Sequence, residues 1–230
     1  MKYLVLGAVV LGFIAGAAYI GYGGLPSSPL PENAPKSEIR LSPRQQMSPE
    51  QAALIRENPY ATEVEQRLAK FAAGLRELVQ DPVILQGVRD ANGKDKMRSM
   101  EEITALDEDW IGTKTLTPFI TSFLTNQIAQ RLLVFQKENP GFKELFIADA
   151  YGLNVAETDK TSDYYQADES WWVNAMNRGA GKLLHGNIEF DQSSQTEAIA
   201  FYVPVSDPES KRAIGVLKAV LDVSTLGKSL

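Results

Sequence analysis

The stretch "SDYYQADESWW", residues 162–172, sets two tyrosines, three carboxylates and two tryptophans in eleven positions. It contains no Lys, Arg, Gly or Pro. Such residues suit a clamp for a cation, or for a polar molecule with one apolar side. Tyr and Trp offer contact area together with a hydrogen-bond donor. A ring face over a desolvated cation contributes about 0.5–2 kcal/mol. Asp168, and Asp191 further on, would hold an ammonium through charge-assisted bonds. An anionic ligand would instead need Arg178, Lys182, His185 or Lys218. Lys218 alternates with Val216 and Val220 on one strand face, so either that face is wet or the ammonium enters a polar pocket. The ligand-binding set read from the sequence is Tyr165, Asp168, Trp171, Trp172, His185, Asp191, Tyr202 and Lys218.

The same residues also have a purely structural reading. Trp171 and Trp172, adjacent in a helix, diverge by about 100°, so at least one belongs to the core. Tyr164 and Tyr165 would fasten their segment to a sheet. Asp149, just before Tyr151-Gly152, reads as a turn residue bonding its own backbone. Asp168 would cap a short helix, and His185 would be an ordinary strand residue. Catalysis fits poorly. The chain has no nucleophile elbow, phosphate loop or H-E-x-x-H motif. With no Cys and one His it has neither thiolate nor a zinc ligand set. The expectation is a non-enzymatic protein without cofactor or metal. With 23 basic and 29 acidic residues and no basic cluster, nucleic acid is not an expected partner.

The elements that must position these residues follow from periodicity. After Asn139-Pro140-Gly141 the chain turns to β. Residues 143–149 and 153–158 flank a tight turn at Ala150-Tyr151-Gly152 and read as a hairpin. Residues 182–190, 196–206 and 213–223 supply three more strands with short polar connections. One long excursion, residues 159–181, separates the second strand from the third. It carries the motif and a short helix over about 168–177. Upstream, Val64, Leu68, Phe71, Leu75 and Leu78 are spaced four, three, four and three apart, a heptad seam. That seam either packs on its own domain or makes a homodimer. A second helix begins at Asp81-Pro82 and ends near Asn92-Gly93, and a third spans 118–137.

The N-terminal part is of another kind. Residues 3–24 carry no charge and would reach roughly 30 Å as a helix, the thickness of a bilayer core. Lys2 precedes the run and the next cation is Lys36, so the remainder is expected outside the cytoplasm. An uncleaved anchor fits better than a signal peptide cut after Ala15-Gly16-Ala17. Ala8, Gly12 and Gly16 lie four apart on one helix face, where a second membrane helix could approach. Residues 25–59 hold seven of the twelve prolines and read as an exposed linker. Within it, Ser48-Pro49-Glu50-Gln51 has a capping-box pattern. The domain reading is 1–24 transmembrane signal anchor, 25–59 linker, 60–226 folded domain and 227–230 tail.

The run "NPGFKELFIADAYGLNVAETDKTSDYYQADESWW", followed by "GNIEFDQSS" and "AIAFYVPVSDPESKRAIGVLKAVLDV", resembles the sensor Cache domain. That is the PAS-like extracytoplasmic module of bacterial chemoreceptors and histidine kinases. "DPVILQGVRDAN" and "ALDEDW" upstream fit the same layout. The resemblance covers roughly residues 60–226. It implies an α+β fold, with a five-stranded antiparallel sheet and a long N-terminal helix against it, plus one N-terminal transmembrane helix. It also implies that any small molecule sits between the sheet and the 159–181 excursion. Where the amino-acid-binding type carries an Arg within its Tyr…Arg…Trp motif, this chain has Glu169 and Ser170. Two functions follow as expectations. One is an anchored sensor on the outer side of a bacterial inner membrane that binds a small molecule and acts through a membrane-protein partner. The other is a non-catalytic accessory subunit of a membrane complex, its domain a docking scaffold.

Overall fold

The computed structural model describes residues 59–191 and 196–227. The 3–24 run with Ala8, Gly12 and Gly16, the stretch 25–58 and the Ser48 capping pattern lie outside the described residues. Among the described residues, no helix is long and apolar enough to cross a membrane.

Among them, five helices precede the first strand: α1 (Pro59–Leu78), α2 (Pro82–Asp95), α3 (Met100–Gly112), α4 (Pro118–Thr125) and α5 (Gln127–Glu138). Their starts are written in short polar side chains. The Asp81 carboxylate accepts from the Val83 N–H ahead of α2, with Pro82 in the first turn. Ser99 and Glu102 form a reciprocal capping box on α3, a helix that the periodicity reading missed. The single helix expected over 118–137 is two. Asn126 is extended (φ −68°, ψ 171°) and its Oδ1 accepts from the Ala129 N–H at 2.9 Å, capping α5. Its Nδ2 donates to the Val155 carbonyl at 2.9 Å, which ties the break to the sheet edge.

The sheet comprises β1 (Phe142–Asp149), β2 (Asn154–Glu157), β3 (Leu184–Asp191), β4 (Thr196–Ser206) and β5 (Ala213–Asp222). Its order is β2-β1-β5-β4-β3, antiparallel throughout. The α+β architecture is therefore the one expected. One face of the sheet, with Ile147, Phe201, Leu217 and Ala219, packs against α1, α2 and α5. Leu68 and Leu75 of the heptad seam are 5% and 0% exposed, and Phe71 meets Phe142 edge-on at 5.7 Å. Leu78 packs on the same core, whereas Val64 stays 36% exposed. Of the two readings of the seam, the structure thus shows the intramolecular one. Each such fully buried leucine is worth about 1.5–3 kcal/mol. The opposite face is covered by a short helix, α6 (Ser170–Met176), which continues into a 3-10 turn, Asn177–Gly179.

Candidate functional site

The excursion is anchored from two sides. The Asp149 Oδ1 accepts from the Tyr151 and Leu153 N–H groups at 2.8 and 2.9 Å, making the turn expected of it. Gly152, at φ 78°, offers its carbonyl to the Gln166 N–H at 2.7 Å. From α3, the Asp107 Oδ1 accepts from the N–H groups of both Tyr164 and Tyr165, at 2.8 and 3.0 Å. The Trp110 Nε1 donates to the Thr161 carbonyl at 2.9 Å. Tyr164 is buried among Trp110, Phe119 and Phe123, with ring centroids 5.5–5.6 Å away. The two tyrosines therefore fasten the excursion both to α3 and α4 and to the start of β2, where the Tyr164 carbonyl accepts from the Asn154 N–H at 3.1 Å and Tyr165 bridges to Leu153.

The second half of the motif forms α6 and faces the sheet. Cross-strand register aligns one row through all five strands: Glu157, Phe146, Lys218, Tyr202 and Leu184. Trp171 lies over this row, 9% exposed. Its ring stacks on Tyr202 at 5.3 Å and 15°, and meets Phe146 edge-on at 5.8 Å. The Lys218 Nζ sits 5.2 Å from the Trp171 centroid and 5.4 Å from that of Phe146. Among the described residues no carboxylate pairs with it. A half-buried ammonium held by two ring faces has lost hydration that the rings replace only in part. Its three donors remain for an acceptor. The structure shows neither alternative for Lys218 as stated: the ammonium lies against two aromatic rings, those of Phe146 and Trp171.

Glu157 closes the row, two strands and thus about 10 Å from Lys218. It is fully buried. Its Oε2 accepts from the Thr161 hydroxyl at 2.9 Å, while its Oε1 has no hydrogen-bond partner among the described residues. Burial pushes its pKa up to about 7, against the Thr161 hydrogen bonds, which lower it. Asp149 likewise rises to about 7, mainly by burial and further through the neighbouring Asp95 carboxylate of α2.

The remaining expected residues scatter. Trp172 packs against the cluster that holds Phe146 and Trp171, and its Nε1 donates to the Asp149 carbonyl at 3.2 Å. Tyr165 bridges to Leu153 and packs beside the Tyr164 cluster. Asp168 is exposed and caps nothing: the N-cap of α6 is Glu169, without a side-chain bond. His185 pairs with Phe201, which places it on the α1 face, opposite Lys218. Asp191 ends β3 opposite Thr196, and its side chain lies outside the described residues. Phe146 and Glu157 were missed because only the register of distant strands brings them to Lys218.

Two cavities lie elsewhere in the domain. One, of about 670 Å³, lies between α2, the α4–α5 junction and β2, and is lined by Asp95, Arg98, Phe119, Phe123, Asn154 and Tyr164 among others. The other, of about 640 Å³, lies on the Trp172 side of α6. The domain is similar to Cache-type sensory domains. Among solved structures it resembles the ligand-binding domain of the Campylobacter jejuni chemoreceptor Tlp3 in complex with L-valine. The identity is 12% and the TM-score 0.36, over 74% of this chain and 66% of that one. It also resembles the ligand-binding domain of the Pseudomonas aeruginosa amino acid chemoreceptor PctB in complex with L-Arg. Here the identity is 14% and the TM-score 0.40, over 71% of this chain and 53% of that one. The chain thus spans just under two thirds of the first and about half of the second. No family model and no curated protein matches it. At such identities the Cache likeness is one of layout, and no residue role passes with it.

Proposed function

We propose that this is an extracytoplasmic sensor-type domain that binds a small anionic molecule on the Lys218 row and acts through a partner protein. In this reading residues 3–24 hold it to the bacterial inner membrane and 25–59 space it from the bilayer. The observation that carries the proposal is Lys218 itself: an ammonium boxed by Phe146 and Trp171 with no carboxylate partner among the described residues. A ligand carboxylate would complete it by charge-assisted hydrogen bonds. Trp171, as the lid, would move or order when the ligand enters, and α6 would carry that change to the surface.

Thermal unfolding of the full-length chain with a panel of small carboxylates and amines tests this. A ligand at about a hundred times its Kd stabilises by about 2.7 kcal/mol, a shift of several degrees. Carboxylates are expected to raise Tm and amines not, and Lys218→Met should abolish the rise. A panel without effect, or a rise that survives the substitution, would overturn the assignment. The second reading, a docking scaffold in a membrane complex, draws on Trp171 filling the space over the sheet while stacked on Tyr202. It requires a constant stoichiometric set of partners after mild-detergent extraction, together with a negative ligand panel.

A further inference from the structure

The cavity on the Trp172 side of α6 reverses the charge of the molecule. The chain carries a formal net charge of −6, yet among the described residues no acidic one lines these 640 Å³, and three arginines do: Arg89, Arg178 and Arg212. Arg89 is spoken for, since its Nε donates to the Asp207 Oδ2 at 2.7 Å. The other oxygen of Asp207 accepts from the N–H groups of Glu209 and Ser210 at 2.9 and 2.8 Å. That carboxylate is fully committed to Arg89 and its own turn. Among the described residues, Arg178 and Arg212 form no ion pair.

The backbone fixes where both arginines stand. Asn177, Arg178 and Gly179 are all left-handed, at φ 45°, 55° and 84°. Gly179 has no side chain to hold Arg212 off: a Cβ there would come within 2.7 Å of the Arg212 Nη2. The two guanidinium-bearing segments are therefore in contact. Beside them the wall is apolar, built from Trp172, Met176, Ile214 and Tyr151. The Trp172 ring is held by its bond to the Asp149 carbonyl and remains partly exposed.

We infer that this cavity is a second ligand site, for an organic anion with a flat apolar body. The ring or chain of the ligand lies on Trp172 and Ile214, and its carboxylate, sulfonate or phosphate groups face Arg178 and Arg212. A planar guanidinium donates to the oxygens of such groups in bidentate fashion, which a lysine would not. None of the residues of the Lys218 row lines this cavity. Adjacent residues of a helix diverge by about 100°, so α6 turns Trp171 to one site and Trp172 to the other. The paired tryptophans thereby serve two walls.

A naphthalene disulfonate is a suitable probe, titrated calorimetrically into the full-length chain, with a neutral naphthalene alcohol in parallel. Saturable binding of the disulfonate alone is expected. It should weaken by about tenfold or more in Arg178→Gln and in Arg212→Gln, as loss of a charge-assisted bidentate contact implies. Lys218→Met should leave it unchanged, which separates this site from the one proposed above. Both arginines are exposed, so unaltered circular dichroism and Tm are expected of the variants. Absence of saturable binding would overturn the inference. So would affinity that survives both arginine substitutions or falls with Lys218→Met, or equal affinity for the neutral alcohol.

Discussion

Asp149 and Glu157 are carboxyls taken out of water, and both have pKa values raised to about 7 by burial. Asp149 faces the Asp95 carboxylate of α2, which raises it further; Glu157 faces Glu144, and Lys160 offsets the effect of burial only in part. An unfolded carboxyl titrates near about 4. Between about 4 and 7 the folded state therefore holds more protons than the unfolded one, and stability falls as pH rises through that window. Asp207 and Asp222 work in the opposite direction. Hydrogen bonds from Ser210 and Arg89, and from Ser224, hold them low, so their contributions vanish only on further acidification. Tm is accordingly expected to be higher at about pH 5 than at about pH 7.5. Asp149→Asn keeps the acceptor for Tyr151 and Leu153 while removing the charge, and it should flatten that slope. A Tm that climbs across the interval, or an unchanged slope in the variant, would disprove the account. The turn role of Asp149 was legible from its place before Tyr151-Gly152. Its neighbour Asp95 was not, because a helix and a turn far apart in sequence meet only in the fold. The same limit hid Phe146 from Lys218.

Elements proved easier to read than sites because each carries its own punctuation. Asp81-Pro82 starts α2 and Asn139-Pro140-Gly141 ends α5, as their side chains require. The five strands fall within a residue or two of the alternating runs. Two helical boundaries escaped. Asn126 sits within an uninterrupted apolar pattern, and its capping role depends on the Val155 carbonyl of another element. The cap of α3 at Ser99-x-x-Glu102 was present in the sequence, yet the helix buries few side chains, Ile103 and Trp110, and so shows little periodicity. The β1–β2 turn offers a test at this scale. Gly152 is left-handed, and a Cβ there would lie 2.4 Å from the Ala167 Cβ and 2.5 Å from the Ala167 nitrogen. Gly152→Ala must strain the turn and push the excursion away, costing about 2 kcal/mol or more in urea unfolding. A variant as stable as the parent would mean that the turn and the excursion are not packed as described.

At the scale of the whole molecule, α1 decides whether the domain is self-sufficient. Leu75 is fully buried against the domain's own sheet. Leu75→Ala should cost about 2–5 kcal/mol. If the seam serves the domain itself, the parent's unfolding midpoint will not depend on protein concentration. A midpoint that rises with concentration would instead assign the seam to an intermolecular contact. The sheet order has a consequence for how the chain is made. β5 lies at the centre, bonded to both β1 and β4, yet it is the last of the five strands in sequence. A chain emerging from its N-terminus holds two separate ribbons, β1–β2 and β3–β4, each with an unpaired inner edge. Neither ribbon alone has the strands to be independently stable. Closure waits for residues 213–222, and the contacts it makes are distant in sequence and slow to form. Such a polypeptide stays threadable during synthesis and commits to its tertiary structure in one late step.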